Sequence, residues 1–332
     1  MGKPLRVLIL DDSEDDVLFL ERELKKGGFD PFCSRVETPE AMDASFSLSW
    51  DVILSDYNMP RFNAFHALSI LKRRDVNIPF IIVSGAMGEE AAVAAMKAGA
   101  HDYVTKNNLA RLPAVVEREI NEAKIRGRQK EIEKKLEMSF FDLVETVSRV
   151  LDSHDPYTSG HARRVAEYAR IVGKEMGVSK DMSDGLYVCG LLHDIGKISI
   201  PDSILCKPGK LTKEEWQLIQ THTSRGYEIL KDCSLPWPAA DVALHHHEQP
   251  DGNGYPDGLV AKEISIENRI LKVCDTVEAM STNRPYRIAR SKNEVIAELA
   301  DGRGIRYDAE IADIVLRLLE KDALIAEQVL MF

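Results

Sequence analysis

The sequence predicts a two-domain protein: a doubly wound α/β domain with a five-stranded parallel sheet, then a helical connector, then an all-α domain. Three observations predict it. Short apolar runs that end in a polar or charged residue alternate with helical patterns up to about residue 110. A stretch dense in Glu, Lys and Arg follows. Beyond residue 150 the apolar spacing is helical, and His and Asp are set among the apolar residues. The boundaries fall at 1–122, 123–145 and 146–332. A length of 332 residues suits two domains, and 44% apolar residues suits packed ones.

The first strand is Leu5 to Leu10, an apolar run with a single Arg, ending in Asp11-Asp12. A helix with Val17, Leu18, Leu20 and Leu24 follows and stops at Gly27-Gly28. Val52 to Leu54 is a strand ending at Asp56, and Phe80 to Val83 is a strand ending at Ser84-Gly85. Tyr103-Val104-Thr105 is the last strand, ending at Lys106. In parallel doubly wound sheets, ligands sit beyond the carboxyl ends of the strands. Asp11, Asp12, Asp56, Ser84 and Lys106 all fall at that edge. Carboxylates gathered there repel one another unless a cation lies between them, and hard oxygen donors suit Mg²⁺. A nearby lysine and hydroxyl suit a phosphoryl group. Any one such Asp reads equally well as a helix cap or a loop residue. Five residues in order, each after a strand, do not.

The order Asp-Asp, Asp, Ser, Lys, with the run Asp56-Tyr57-Asn58-Met59-Pro60, resembles the receiver domain of bacterial response regulators over roughly residues 4 to 120. The resemblance implies Asp56 as phosphoacceptor, with a sensor histidine kinase as phosphodonor. It implies Mg²⁺ held by Asp11, Asp12 and Asp56. Ser84 and Lys106 would contact the phosphoryl oxygens, and Tyr103 would be the switch aromatic. Asn107 departs from the pattern, since many receivers have proline there.

Val115 to Lys135 has no Pro and one Gly, and should be an exposed helix. Ile125, Ile132 and Leu136 form a thin apolar stripe near heptad spacing, continued by Phe140, Leu143, Val147 and Val150. The charge density leaves little face for an internal core, which favours a coiled coil pairing with a second copy over a solvated single helix. Gly127 weakens the helix by about 1 kcal/mol relative to Ala and marks a candidate joint.

Helical patterns then recur at Val165–Met176, Leu186–Asp194, Lys213–Leu230, Ala239–His247, Glu267–Met280, Lys292–Ala300 and Ile311–Leu319. Turn signals are strongest at Pro208-Gly209 and from Asp251 to Gly258. The candidate metal ligands are His161, His193, Asp194, His222, His246, His247 and Asp275. A helix bundle can converge them from distant segments. Adjacent His193 and Asp194 point about 100° apart on a helix, so each suits a different ion, or Asp194 bridges two. Asp275 is a lone charge in an apolar helix, where a metal is a fitting partner. Lys197 lies one turn beyond His193 if the helix continues through Gly196, within reach of a nonbridging phosphoryl oxygen.

His193-Asp194-Ile195-Gly196-Lys197 and Asp251-Gly252-Asn253-Gly254-Tyr255-Pro256 resemble the paired motifs of the HD-GYP family of cyclic-dinucleotide phosphodiesterases. His161-Ala162-Arg163-Arg164-Val165, Lys207 to Thr212, His222, His246-His247-Glu248, Asp275 and Arg284-Pro285-Tyr286-Arg287 extend the match through most of residues 150 to 310. The resemblance implies a binuclear centre. One ion takes His161, His193, Asp194 and Asp275, and the other takes Asp194 as bridge with His222, His246 and His247. His245 falls before the family's His-His pair and reads as a surface residue. Some members hold a third metal through a glutamate four residues before the first histidine, where this chain has Tyr157. Mixed imidazole and carboxylate donors suit Fe or Mn, with Zn, Ni or Co as alternatives. Two such ions would lower the pKa of a water held between them and stabilise charge on phosphoryl oxygens. Lys197, Tyr255, Arg284 and Arg287 would bind the substrate.

The implied reaction is hydrolysis of cyclic di-GMP to pGpG, or onward to GMP, tuned by phosphorylation. Two rivals stand beside it. One is a catalytically weak module that senses cyclic di-GMP, and the other a phosphodiesterase for another cyclic dinucleotide such as cyclic GMP-AMP. No residue separates guanine from adenine. A net charge of -11 argues against broad attraction to nucleic acid. No apolar run approaches the ~20 residues that span a bilayer, so membrane insertion is not expected. Val7 to Leu10 before an acidic cluster makes no signal peptide. Five separated cysteines with no Cys-x-x-Cys pair suit reduced thiols and a cytoplasmic protein.

Overall fold

The computed structural model describes residues 2–57, 59–60, 62–85, 89–154, 160–207, 209–282, 289–321 and 324. The chain divides into two units, 1–136 and 137–332.

The first unit alternates strand and helix: β1 Lys3–Leu10, α1 Glu14–Lys26, β2 Phe29–Val36, α2 Pro39–Ser45, β3 Val52–Asp56, α3 Ala64–Arg74, β4 Phe80–Ser84, α4 Glu89–Ala98 and β5 Asp102–Thr105. A 3₁₀ turn, Lys106–Arg111, leads into α5, Leu112–His154. All strands are parallel, in the order β2-β1-β3-β4-β5. The chain reverses direction across the sheet at β1, so the ligand crevice opens between β1 and β3. Leu10 pairs with Ser55, which sets Asp11 beside Asp56 at that crevice. Strand residues alternate between two cores. Leu8, Leu10, Ile53, Phe80 and Ile82 face one side with Met42, Leu68 and Leu71. Val7, Ile9, Leu54, Ile81 and Val83 face the other with Leu20, Leu24, Leu112 and Val116.

Four of the strands carry the apolar runs read from the sequence. The fifth, β2, does not: Asp30, Pro31 and Arg35 interrupt it. It is an edge strand, and a proline is tolerated where no ladder partner is needed on one side.

Helix α5 begins inside the first core through Leu112, Val115, Val116 and Ile120. It stays helical through Gly127, which therefore is not a break. Farther on, Val144 is buried in the second unit's core, with Phe140, Phe141 and Val147 packed on it. Ile125, Ile132, Leu136, Leu143 and Val150 remain more than half exposed. The stripe read as one seam is thus two: Phe140 and Val147 pack internally, and the other five residues face outward.

The second unit is helical: α6 His161–Glu175, α7 Lys180–Leu192, α8 Asp202–Leu205, α9 Lys213–Gln220, α10 His222–Leu230, α11 Ala239–His245, α12 Ile266–Ser281, α13 Lys292–Gly302 and α14 Ala309–Glu320. Its described residues hold no strand. The core is built from Tyr168, Leu186, Val188, Val242, Ile270, Val277, Ile311 and Val315. Serine or aspartate side chains cap α7, α12, α13 and α14 by accepting backbone N–H groups of the first turn. Two boundaries differ from the sequence reading. The pattern Lys213–Leu230 is two helices parted at Thr221, and α7 stops at Leu192, with a 3₁₀ turn over Ile195–Ser199. No helix among the described residues is long and apolar enough to cross a membrane.

Candidate metal centre and phosphoacceptor pocket

Helix ends build the metal centre. His161 opens α6, His193 caps the C-terminus of α7 and Asp194 follows it. His222 opens α10, His246 caps α11 with His247 next, and Asp275 sits within α12. Gly196 makes this convergence sterically feasible. A Cβ there would lie 1.9 Å from the carbonyl oxygen of His222, so only glycine lets the turn after Asp194 rest on the start of α10.

The two oxygens of Asp194 face different histidines. Oδ2 lies 3.3 Å from His193 Nε2 and 3.7 Å from His161 Nε2. Oδ1 lies 3.4 Å from His222 Nε2 and 3.8 Å from His246 Nε2. Asp275 Oδ1 is 3.2 Å from His161 Nε2. The donor atoms fall into two groups that share Asp194: His161 and His193 in one, His222, His246 and His247 in the other.

These residues fit metal ions. His193 Nδ1 donates to Gly190 O, His222 Nδ1 to Ile219 O, and His246 Nδ1 to Val242 O. A carbonyl only accepts, so each Nε2 presents a lone pair to the cluster. His222 Nε2 and His246 Nε2 then face each other at 3.4 Å with no proton between them. His193 Nε2 is buried, lacks a hydrogen-bond partner, and points its lone pair toward a carboxylate. A cation between these atoms removes both repulsions. Burial holds His222, His246 and His247 below the ordinary imidazole range, so they stay neutral and able to ligate. Burial alone would raise the Asp194 and Asp275 carboxyls. Lys197 overcomes it at Asp194, and His161 at Asp275, keeping both well below the usual carboxylate range. Burial would lower His161, but Glu278 and Asp275 raise it to about 9. A cation held by His161 would take the place of that proton.

In the first unit, Lys106 Nζ reaches Asp56 Oδ1 at 3.2 Å and Asp11 Oδ2 at 3.5 Å. Its shortest contact is Asp16 Oδ2 at 2.6 Å, a carboxylate absent from the sequence-derived set. Asp11 is buried and accepts the Ser13 N–H, while its carboxyl is raised by burial and by Asp56 and Asp16. That charge crowding suits a cation. Ser84 ends β4 beside Thr105, the residue before Lys106. Asp12 is exposed, and so is Tyr103 on β5.

Comparison with known proteins bears on both domains. Residues 7–117 match the response regulator receiver domain, and residues 145–311 match the HD domain. The chain is 30% identical over 337 residues to the cyclic di-GMP phosphodiesterase response regulator RpfG of Xanthomonas campestris pv. campestris, covering 94% of this chain and 87% of that protein. The chain belongs to the HD-domain response regulators. A cyclic di-GMP phosphodiesterase of Thermotoga maritima is 30% identical, covering 95% of this chain and 90% of the relative. The 3'3'-cGAMP-specific phosphodiesterase 3 of Vibrio cholerae is 36% identical over 168 residues, covering 51% of this chain and 36% of the relative. This HD-domain response regulator is a metal-dependent phosphodiesterase.

Three further residues support the HD-domain site. Glu278 is buried; it accepts from His161 Nδ1 and, at 2.7 Å, from Arg164 Nε. It orients His161 from behind, as outer carboxylates do for histidine ligands. It follows Asp275 by three residues and Arg164 follows His161 by three, so each pair shares a helix face, a signal the sequence carried. Glu248 is also buried, and its carboxylate accepts the backbone N–H groups of Asp257 at 2.7 Å, Gly258 at 3.0 Å and Leu259 at 3.0 Å. It therefore clamps the loop that carries Tyr255, whose ring stacks on His247 at 4.8 Å. His245 joins the same support. Its ring nitrogens face Asp241 at 2.8 Å and Asp257 at 3.0 Å, so it is partly buried and not a free surface residue. Lys197 sits in the 3₁₀ turn, not on an extended α7, and pairs with Asp194. Arg284, Arg287 and Tyr157 lie outside the described residues.

Proposed function

We propose that this HD-domain response regulator hydrolyses cyclic di-GMP to linear pGpG at a centre of two transition-metal ions, under control of phosphorylation at Asp56. The observation that carries the reading is Asp194, whose two oxygens address separate histidine groups. One ion takes His161, His193, Asp194 and Asp275, and the other takes Asp194, His222, His246 and His247. Mixed imidazole and carboxylate donors favour iron or manganese. When bound, the ions supply Lewis acidity at a phosphoryl oxygen and a water acidic enough to react near neutral pH. The chain's own residues do the rest. Backbone carbonyls hold the imidazole tautomers. Lys197 donates to a nonbridging phosphoryl oxygen of the scissile phosphate. Arg284 and Arg287 hold the second phosphate through paired N–H groups.

Metal analysis of anaerobically purified protein, with parallel turnover of cyclic dinucleotides, tests this. Two ions per chain are expected, with cyclic di-GMP turnover lost on chelation and restored by Fe²⁺ or Mn²⁺. One ion per chain, or turnover indifferent to chelation, contradicts the reading. The 36% identity to a 3'3'-cGAMP-specific phosphodiesterase supports a second reading. Faster turnover of 3'3'-cGAMP would replace the first substrate with that one. Binding without turnover of either would make the domain a sensor.

For the receiver, a sensor histidine kinase in the cytoplasm is the phosphodonor, and Asp11 and Asp12 hold Mg²⁺ with Asp56. Residues 123–145 connect the domains. The outward residues Ile125, Ile132, Leu136, Leu143 and Val150, spaced by sevens and a four, pair with a second copy. Labelling by acetyl phosphate is expected to require Mg²⁺ and to vanish in Asp56→Ala. Undiminished labelling of that variant would place the acceptor elsewhere.

A further inference from the structure

The wall of the metal cleft holds an aromatic residue that the chemistry above does not use. A cleft of about 250 Å³ opens over the cluster, and Trp216 lines it together with Ile219, Lys197 and Tyr255. Trp216 is 48% exposed. Its helix, α9, buries no residue, so core packing does not dictate an indole at this position. The start of α9 is nonetheless well capped. Thr212 and Glu215 form a reciprocal capping box at its start, and Lys207 grips both oxygens of Glu215 at 2.7 Å. The indole is thus displayed beside the His/Asp cluster on a helix with a capped start. Tyr255, the other large aromatic of the cleft, already has a ring face covered by His247, with the planes 27° apart.

We propose that Trp216 is a base-stacking residue, on whose indole one purine of the cyclic dinucleotide lies while the scissile phosphate sits at the metal cluster. The inference rests on the cyclic-dinucleotide reading above. Every nucleobase offers a π-face, so an indole beside the phosphate site adds affinity without hydrogen bonding to base edges. Ile219, one turn along the same helix, extends the apolar floor.

The test uses the full-length, metal-loaded protein with cyclic di-GMP. Trp216→Ala is expected to raise KM about 5- to 150-fold, the range for loss of one base–aromatic stack. The loss should appear in KM more than in kcat, with metal content unchanged. Trp216→Phe keeps a ring and should recover most of the affinity. Substrate should also quench tryptophan fluorescence in the parent but not in Trp216→Phe, which retains Trp50 and Trp237. An active parent whose KM is unmoved by Trp216→Ala overturns the stacking role alone, as does a loss confined to kcat with reduced metal. A parent that neither binds nor hydrolyses cyclic di-GMP or 3'3'-cGAMP overturns the functional reading and the stacking role with it.

Discussion

Replacing Asp194 with asparagine is expected to reduce phosphodiesterase turnover by more than about a hundredfold, because loss of even an outer partner of a metal ligand costs ~10–100-fold. Bound metal should fall in the same variant. Asp194 alone touches both donor groups, with Oδ2 toward His161 and His193 and Oδ1 toward His222 and His246. An amide keeps the shape but carries no charge and only one acceptor oxygen. The second group would then be left with neutral imidazoles alone, and two of them, His222 and His246, already bring their lone pairs together at 3.4 Å. Lys197 would also lose the carboxylate it pairs with at the edge of the cluster. Metal content and turnover, measured together, decide the matter. Wild-type values for both in Asp194→Asn would remove Asp194 from the centre.

The sheet of the first domain was legible wherever burial on both faces made a strand uniformly apolar, as in β1, β3 and β4. It was illegible in β2, because an edge strand satisfies only one ladder and tolerates Asp30, Pro31 and Arg35. The residues of the His/Asp cluster were legible because imidazole and carboxylate are chemically conspicuous among apolar helix residues. The role of one support was not. Glu248 looks like one more acidic residue until the backbone N–H groups of Asp257, Gly258 and Leu259 turn toward it. Lys197 was expected on a continuing helix, but Gly196 lies against the backbone of α10, and that contact turns the chain. The connector stripe shows a related limit. Spacing marks which residues share a helix face, but it does not say which neighbour covers them. Phe140 and Val147 are covered by their own domain, while Leu143 and Val150 are not.

Glu248→Ala is expected to loosen the Tyr255 loop and lower turnover by roughly 10–100-fold while leaving metal bound, since the residue acts behind the ligands and not as one. Hydrogen bonds to a charged group contribute about 1.5–3 kcal/mol each, and Glu248 accepts three. Alanine leaves those N–H groups without the acceptor. Glutamine is no remedy, because its single carbonyl oxygen cannot serve both positions and its NH₂ must face a donor. The loop also presses on Glu248 from the other side: a Cβ on Gly254 would lie 2.4 Å from the Glu248 Cα. Gly254→Ala should therefore displace the same loop without touching the carboxylate. Local motion is the expected outcome, because the loop lies apart from the core of Tyr168, Val188 and Val277. Hydrogen exchange at the amides of Asp257, Gly258 and Leu259 reports the clamp directly. Those amides should lose protection in Glu248→Ala and Glu248→Gln, while amides in α6 and α12 keep theirs. Retained protection at the three amides, together with parental turnover, would show that the loop is held by something other than this carboxylate.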